Sequence, residues 1–223
     1  MQKLSRTKIE LFTNCPRCFW LDVVQGVKRP FGPPFTINNA VDYLMKQEFD
    51  VHRADHTPHP VMVANHIDAV PYQHEQMDKW RHNFTGVQVQ YAPTDFLLTG
   101  AVDDVWVDKK GTLYVVDYKA TGANQHQIYD SYRRQMEIYQ WLLSQNGFDV
   151  SPTGYFVFAK VNKGEGFGHG NPVLPFNFFI ESMEGDGSWI PATLERMRAT
   201  LDSDVAPAPA EACEFCAYCK RAC

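Results

Sequence analysis

The sequence predicts an α/β protein with a mixed central sheet flanked by helices, and three observations carry that expectation. Two β-branched runs, TGAVDDVWVD (99–108) and TLYVVDYK (112–119), are joined by a short Lys109-Lys110-Gly111 turn, the pattern of a hairpin. A helix-length segment over 128–146 follows, and two more strand-like runs, TGYFVFAKV and VLPFNFFI, come after it. With 223 residues, 44% of them apolar and 13% aromatic, the chain can bury a full core. Its length suits one domain, 1–223, with the core at about 95–182, a helical part at 1–94 and a cysteine-bearing tail at 203–223.

Taken in order, SRTKIELFTNC opens with Ser5 as a helix cap, and Ile9, Leu11 and Phe12 fall close to helical spacing before Pro16 interrupts them. The first element is thus expected to be a short helix ending at CPRC. Residues 29–36 hold three prolines and a glycine and should run extended. INNAVDYLMKQEFDVHR follows as a second helix, with Asn38 or Asn39 as its cap. The stretch from Ala54 to about Pro93 is poorly patterned, with a short helix expected near QHEQMDKWRHNF. After the hairpin, the helix of 128–146 is stopped by Gly147. SWIPATLERMRATL is expected to be the last helix, and the Pro/Ala-rich DSDVAPAPAEA a linker that delivers the final cysteines.

The formal net charge of −5 excludes the broad basic field of a protein that coats nucleic acid, so any such contact should be local. Basic residues gather at Lys3-Arg6-Lys8, Lys28-Arg29, Arg133-Arg134 and Lys160-Lys163, and some of them are expected to line a DNA path. The aromatics between 72 and 96 could stack on single-stranded bases, although that spacing suits a core better. No stretch of MQKLSRTKIELF has the length of a secretory signal, and no later run nears the roughly 18 apolar residues of a membrane span. A cytoplasmic protein without membrane contact is the expectation. Six of the eight histidines lie between His52 and His82; His52 and His56 are four apart, but Pro58 and Pro60 follow and no third ligand is evident, so solvated loop histidines are expected.

Within VVDYKATG, residues two apart share a strand face, so Asp117 and Lys119 point together while Val116 and Tyr118 point away. Across the hairpin, Asp103 stands where an antiparallel neighbour brings its carboxylate beside that of Asp117. Two carboxylates held so close repel unless a cation lies between them, and a hard divalent ion such as Mg²⁺ or Mn²⁺ suits oxygen donors. A lysine beside them can orient water or neutralise charge that builds on a phosphate, which is chemistry for phosphodiester hydrolysis. On the following helix, Tyr132, Gln135, Tyr139 and Leu142 share one core-directed face, so Gln135 is a buried amide in need of partners; phosphate, water and lysine would supply them. Asp104 should face the other side of its strand, as a surface residue or one behind the site.

Gly100-x-x-Asp103, Asp117-Tyr118-Lys119 and Gln135-x-x-x-Tyr139, in this order, resemble the RecB-like branch of the PD-(D/E)XK nuclease superfamily, including the iron–sulfur exonucleases of CRISPR adaptation. The resemblance covers most of the chain, from Cys15-Pro16 to the terminal cysteines. It implies a restriction-endonuclease-like sheet, metal ligation by Asp103, Asp117 and the Tyr118 carbonyl, catalysis by Lys119, and support of the site or DNA contact by Gln135 and Tyr139. Many relatives carry a metal-binding histidine on a helix before the hairpin; NNAVD puts Asp42 there, and a carboxylate is a suitable ligand for Mg²⁺ or Mn²⁺. A metal-dependent deoxyribonuclease is implied, with exonuclease action on single strands or DNA ends as the expected mode. Partner proteins would come from DNA repair, recombination or CRISPR adaptation. The alternatives are a non-catalytic nucleic-acid-binding scaffold on the same fold, or a nuclease acting on RNA.

All six cysteines lie at the chain ends, and in a reducing compartment this favours metal over disulfides. Cys15 with Cys18, and Cys213 with Cys216, are two C-x-x-C knuckles, a pattern for four thiolates on one metal centre that clamps the ends together. The resembling nucleases often hold a [4Fe-4S] cluster by one early cysteine and three late ones. That template takes Cys15, Cys213, Cys216 and one of Cys219 or Cys223, and leaves Cys18 spare. The other choice is Cys15, Cys18, Cys213 and Cys216, which would suit zinc or a cluster.

Overall fold

The structure, a computed structural model, describes residues 1–223 except 31, 34, 126, 165–169, 171 and 223. In chain order the elements are β1 (Gln2–Ser5), α1 (Arg6–Asn14), α2 (Pro16–Val24), α3 (Thr36–Asp55), α4 (Pro60–Ala64), β2 (Val70–Pro71), α5 (Met77–Arg81), β3 (Val87–Tyr91) and β4 (Phe96–Gly100). They continue with β5 (Asp104–Val107), β6 (Leu113–Thr121), α6 (Asp130–Gln145), β7 (Thr153–Val161), β8 (Phe176–Glu184), α7 (Trp189–Leu201) and α8 (Glu214–Ala222). The chain divides into two compact units: residues 1–33, 88–99 and 187–223 form the first, and residues 34–87 and 100–186 the second.

In the first unit β1, β4 and β3 make a three-stranded sheet, with β1 parallel to β4. Pro16 begins a helix instead of only ending one. Its missing N–H and fixed φ suit the first helical position, so CPRC joins α1 to α2. Ser5 does stand at the start of α1, but its hydroxyl meets Thr7 Oγ1 at 2.6 Å and caps no backbone N–H. Phe12 and Phe19 meet edge to face at 5.3 Å, and with Ile9, Ile190, Leu194 and Met197 they are buried. The linker after α7 has no helix or strand, as expected, whereas Cys216 and Cys219 ride on a helix, α8, that the sequence pattern does not predict.

The second unit holds the central mixed sheet, in the order β2-β5-β6-β7-β8. β5 and β6 are antiparallel, β6 and β7 are parallel across α6, and β7 and β8 are antiparallel. One face of β6 presents Val116 and Tyr118 to Val41, Met45 and Phe49 of α3. The other carries Asp117 toward α6. β6 is therefore covered on both sides rather than half-buried, which is what an almost unbroken run of apolar residues implies. α3 starts at Thr36 with Phe35 at its cap position, so neither Asn38 nor Asn39 caps it; Asn38 Nδ2 donates to the Ala120 carbonyl at 3.0 Å instead.

The run TGAVDDVWVD is not one strand. Thr99 and Gly100 end β4, and the ladder of the central sheet begins only at Asp104. The break has a steric cause: a Cβ at Gly100 would lie 2.8 Å from side-chain atoms of both Tyr139 and Leu142, so the backbone itself packs on α6. Val102 N–H then donates to the Trp80 carbonyl at 3.1 Å, outside any ladder. Among the histidines of the poorly patterned stretch, His59 is buried, stacked on Phe49 at 4.4 Å, and its Nδ1 accepts from Val61 N–H at the start of α4. It is a structural cap and not a solvated loop residue.

Candidate functional site

The β5–β6 register pairs Asp104 with Val116, and continuing it by one residue sets Asp103 opposite Asp117, as the hairpin reading requires. Asp103 Oδ2 accepts from Tyr118 N–H at 3.1 Å. In an extended strand a residue's N–H and C=O point to the same side, so the Tyr118 carbonyl faces the edge where β5 has not yet begun, beside Asp103. Asp117 is fully buried and its Oδ1 accepts from Gln135 Nε2 at 2.6 Å. The same Nε2 lies 3.3 Å from the Tyr139 hydroxyl. The amide nitrogen of Gln135 thus reaches Asp117 and Tyr139, the protein partners of this half-buried side chain. Lys119 pairs with Asp117 Oδ2, and its ammonium sits over the Tyr132 ring at 4.7 Å.

Asp42 joins this group only indirectly. Lys46, one helical turn further along α3, places Nζ 2.8 Å from Asp42 Oδ2 and 3.0 Å from Asp103 Oδ1. Sequence reasoning missed Lys46, although its i, i+4 spacing from Asp42 put both on one helix face. Among the described residues the three acids do not draw their oxygens together to within 4.8 Å, a closeness that only the cysteine group reaches.

Charge explains how the cluster holds. Burial pushes the Asp117 carboxyl up, and Asp103 beside it adds to this against the pull of the Lys119 ammonium; the result is about 7. Burial acts the same way on Asp103, yet Lys46 and Lys119 outweigh it and hold that carboxyl below its ordinary value. Burial and the Asp103 charge raise Asp42. Burial works against the charge of Lys119, but Asp117 and Asp103 raise it above the usual ammonium value. Both oxygens of the buried Asp117 carboxylate are engaged, Oδ1 by Gln135 and Oδ2 by the Lys119 ammonium, so Oδ2 already faces a positive charge. Hard oxygen donors from Asp103, Asp117 and the Tyr118 carbonyl suit Mg²⁺ or Mn²⁺.

Asp104 is wholly buried behind the site, the second of the two placements expected for it and not the surface. It accepts from Arg53 Nη2 and the Tyr118 hydroxyl, each at 2.5 Å, and lies 3.3 Å from Arg81 Nη2. Arg81 also donates from Nε to the Asp103 carbonyl at 2.9 Å. Through Tyr118 and Arg81, this ion cluster grips the backbone on both sides of the acid pair. No motif announced it, because its members come from α3, α5 and β5.

The first unit carries the thiols. Cys18 Sγ lies 3.6 Å from Cys213 Sγ and 3.6 Å from Cys216 Sγ, and Cys15 Sγ 3.9 Å from Cys216 Sγ. All four sulfurs fall within 4.8 Å of one another and could hold a metal. Cys18 is thus inside the group and not spare. Cys219 is exposed and outside it, and Cys223 lies outside the described residues. Burial opposes ionisation of Cys15, but N–H donors from Ala210 and Cys18 bring it down to about 6, while burial and its neighbours raise Cys216. Arg29 donates to Cys213 Sγ at 3.4 Å and lies over the Phe215 ring at 4.6 Å, so this basic residue faces a thiolate site.

A mixed sheet that gathers two aspartates, a lysine and a glutamine at one strand end defines a nuclease-type centre. The chain belongs to the PD-(D/E)XK nuclease superfamily, whose model matches residues 37–223. Such a nuclease acts on nucleic acid. No match to curated proteins is found in sequence. Among solved structures, an alkaline exonuclease from Laribacter hongkongensis is similar with a TM-score of 0.46 and 11% identity, over 99% of this chain and 92% of that one. A phage-related exonuclease from Haemophilus somnus gives a TM-score of 0.43 and 12% identity, over 88% of this chain and 78% of that one. Likeness at these values fixes neither substrate nor polarity. No helix among the described residues is long and apolar enough to cross a membrane.

Proposed function

We propose that the chain works as one nuclease domain that hydrolyses DNA with a divalent ion at Asp103, Asp117 and the Tyr118 carbonyl, Asp42 completing the set. The observation that supports this reading is the apposition of two carboxylates, Asp103 and the fully buried Asp117, at one strand end with Lys119 paired to Asp117. A Mg²⁺ or Mn²⁺ ion held there supplies Lewis-acid polarisation of the scissile phosphate and a lowered pKa for attacking water. The chain's own groups do the rest. Lys119 holds its ammonium at the acid pair, where it can neutralise charge developing on a phosphate oxygen. Gln135 fixes the orientation of Asp117, and Tyr139 closes the Gly100 corner behind it. Exonuclease action on single strands or DNA ends follows the resemblance to RecB-like enzymes. Cleavage of end-labelled single-stranded DNA, duplex DNA and RNA with Mn²⁺ or Mg²⁺ tests this: DNA should be degraded from ends, and no ion-dependent cleavage of any of them would overturn it.

For the thiols we infer one tetrahedral zinc ion, not a [4Fe-4S] cluster. Zn–S bonds of about 2.3 Å in a tetrahedron place sulfurs about 3.8 Å apart; three of the sulfur pairs lie 3.6–3.9 Å apart and all four sulfurs fall within 4.8 Å of one another, which supports that geometry. A four-iron cluster spreads its thiolates further, since each binds a different iron. Anaerobically purified protein should carry one zinc and lack a brown chromophore near 400 nm; four irons per chain would overturn the inference.

A further inference from the structure

Lys46 has no place in the motif that defines the site, since Asp117 already has its own lysine two residues on. Yet where Lys119 contacts Asp117, the Lys46 ammonium contacts two acids directly. Its Nζ bridges Asp42 Oδ2 at 2.8 Å and Asp103 Oδ1 at 3.0 Å, two carboxylates that come from different elements. The side chain is 21% exposed, against 22% for Asp103 and 35% for Asp42, so the bridge lies at the mouth of the site and not in the core. Asp103 is the acid common to both functions. Its other oxygen is fixed by Tyr118 N–H, and its carbonyl by Arg81, which leaves Oδ1 as the oxygen free to choose a cation.

An ammonium and a divalent ion cannot share that position. Oxygens that accept from Nζ at about 3 Å must close to about 2.1 Å around Mg²⁺, and two cations that close repel strongly in a partly buried site. The ion can enter only as Lys46 leaves Asp103. In exchange, the lysine keeps the acids from repelling one another when no ion is bound, so the site stays assembled while empty.

We propose that Lys46 is an internal counter-cation that competes with the divalent ion for Asp42 and Asp103, and so sets the ion concentration at which the site fills. This inference rests on the acid centre being the ion site. Removing the competing charge must tighten ion binding, whereas a lysine that merely braces α3 would weaken it when lost.

Mn²⁺ titration of the full-length chain, followed by the EPR signal of free Mn²⁺, distinguishes these. Mn²⁺ is a hard ion that the four thiolates hold poorly. Lys46→Met should bind Mn²⁺ at least tenfold more tightly than the unmodified chain, and Lys46→Gln should repeat that gain with a polar side chain. Lys46→Arg, which keeps the charge, should stay within about threefold. Binding by Lys46→Met and Lys46→Gln that is unchanged or weaker, while Asp103→Asn loses Mn²⁺, would overturn the role of Lys46. Undiminished Mn²⁺ binding by Asp103→Asn would instead overturn the acid centre as the ion site.

Discussion

The acid centre of the second unit and the thiol centre of the first both gather groups that repel when ionised, and they do so by opposite means. In the acid centre Asp117 sits on β6 and Asp103 directly before β5, so the adjoining ladder sets their spacing, and the protein provides its own cations and donors: Lys46, Lys119, Gln135 and the N–H of Tyr118. In the thiol centre the sulfurs that meet are 195 to 201 residues apart in sequence, and no strand pair holds them. Arg29 and the N–H groups of Ala210 and Cys18 are the protein donors placed against them. A centre with built-in counter-charges can stand before its ion arrives. A centre that closes a loop of nearly the whole chain needs the ion to offset the entropy of closure.

The sharpest way to break that contrast is to remove metal. With the proposed zinc in the thiol centre, removing it with a chelator under reducing conditions should unfold much of the first unit, since a structural tetrathiolate zinc contributes about 10 kcal/mol or more of apparent folding free energy. Hydrogen exchange is the direct check: amides of α1, α2 and α8 should lose protection while those of β6 and β7 keep it. Equal loss in both units would show that the acid centre depends on the thiol metal as much as the first unit does.

Asp117→Asn should give the converse result. Cleavage should fall by at least about 10³-fold as a ligand and charge-bearing group is lost from the reacting centre. Exchange protection of β6 should survive, because the ladder and not the carboxylate holds the strand. Next in size is Arg53→Met. Arg53 gives Nη2 to Asp104, Nη1 to the Tyr72 carbonyl and Nε to Asp50. Its loss leaves a buried carboxylate half-compensated, at about 3–5 kcal/mol. Denaturant unfolding should show this loss in the second unit and leave the metal content of the thiol centre unchanged.

The motif-bearing strands were legible in sequence because β6 and β7 are long and apolar, and because Asp117 and Lys119 stand two apart on one of them. The cysteine quartet was legible as one of two choices, since C-x-x-C knuckles have their own spacing; which four meet depended on a helix, α8, too short and polar to announce itself. What stayed hidden depended on packing across elements. The corner at Gly100 exists because Tyr139 and Leu142, some forty residues on, fill the place of its side chain. Strand alternation put Asp104 on the opposite face from Asp103 but could not choose between solvent and a buried place behind the site; Arg53 of α3 and Arg81 of α5 cover that face. Lys46 was invisible because its importance lies in reaching Asp103, a contact that helix spacing from Asp42 hinted at and did not require.

The smallest effect expected is also the one that bears most closely on the difference between the two centres. Gln135 touches Asp117 Oδ1 at 2.6 Å and Tyr139 at 3.3 Å, so it orients one carboxylate and carries no charge of its own. Losing a group that holds a ligand in place typically costs 10- to 100-fold in metal affinity, or about 1.4–2.7 kcal/mol. Gln135→Met should therefore weaken Mn²⁺ binding by about that factor, with unfolding free energy lowered by about 1–3 kcal/mol as Asp117 Oδ1 loses its donor, less than for Arg53→Met. Arg29→Met is the matching change at the thiol centre, since Arg29 likewise touches a sulfur without belonging to the quartet. There the soft thiolates make the strong bonds themselves, and the metal content should hold under the same dilution. If Arg29→Met loses its metal as readily as Gln135→Met loses Mn²⁺, then the thiol centre too is assembled by its protein surroundings before the ion binds.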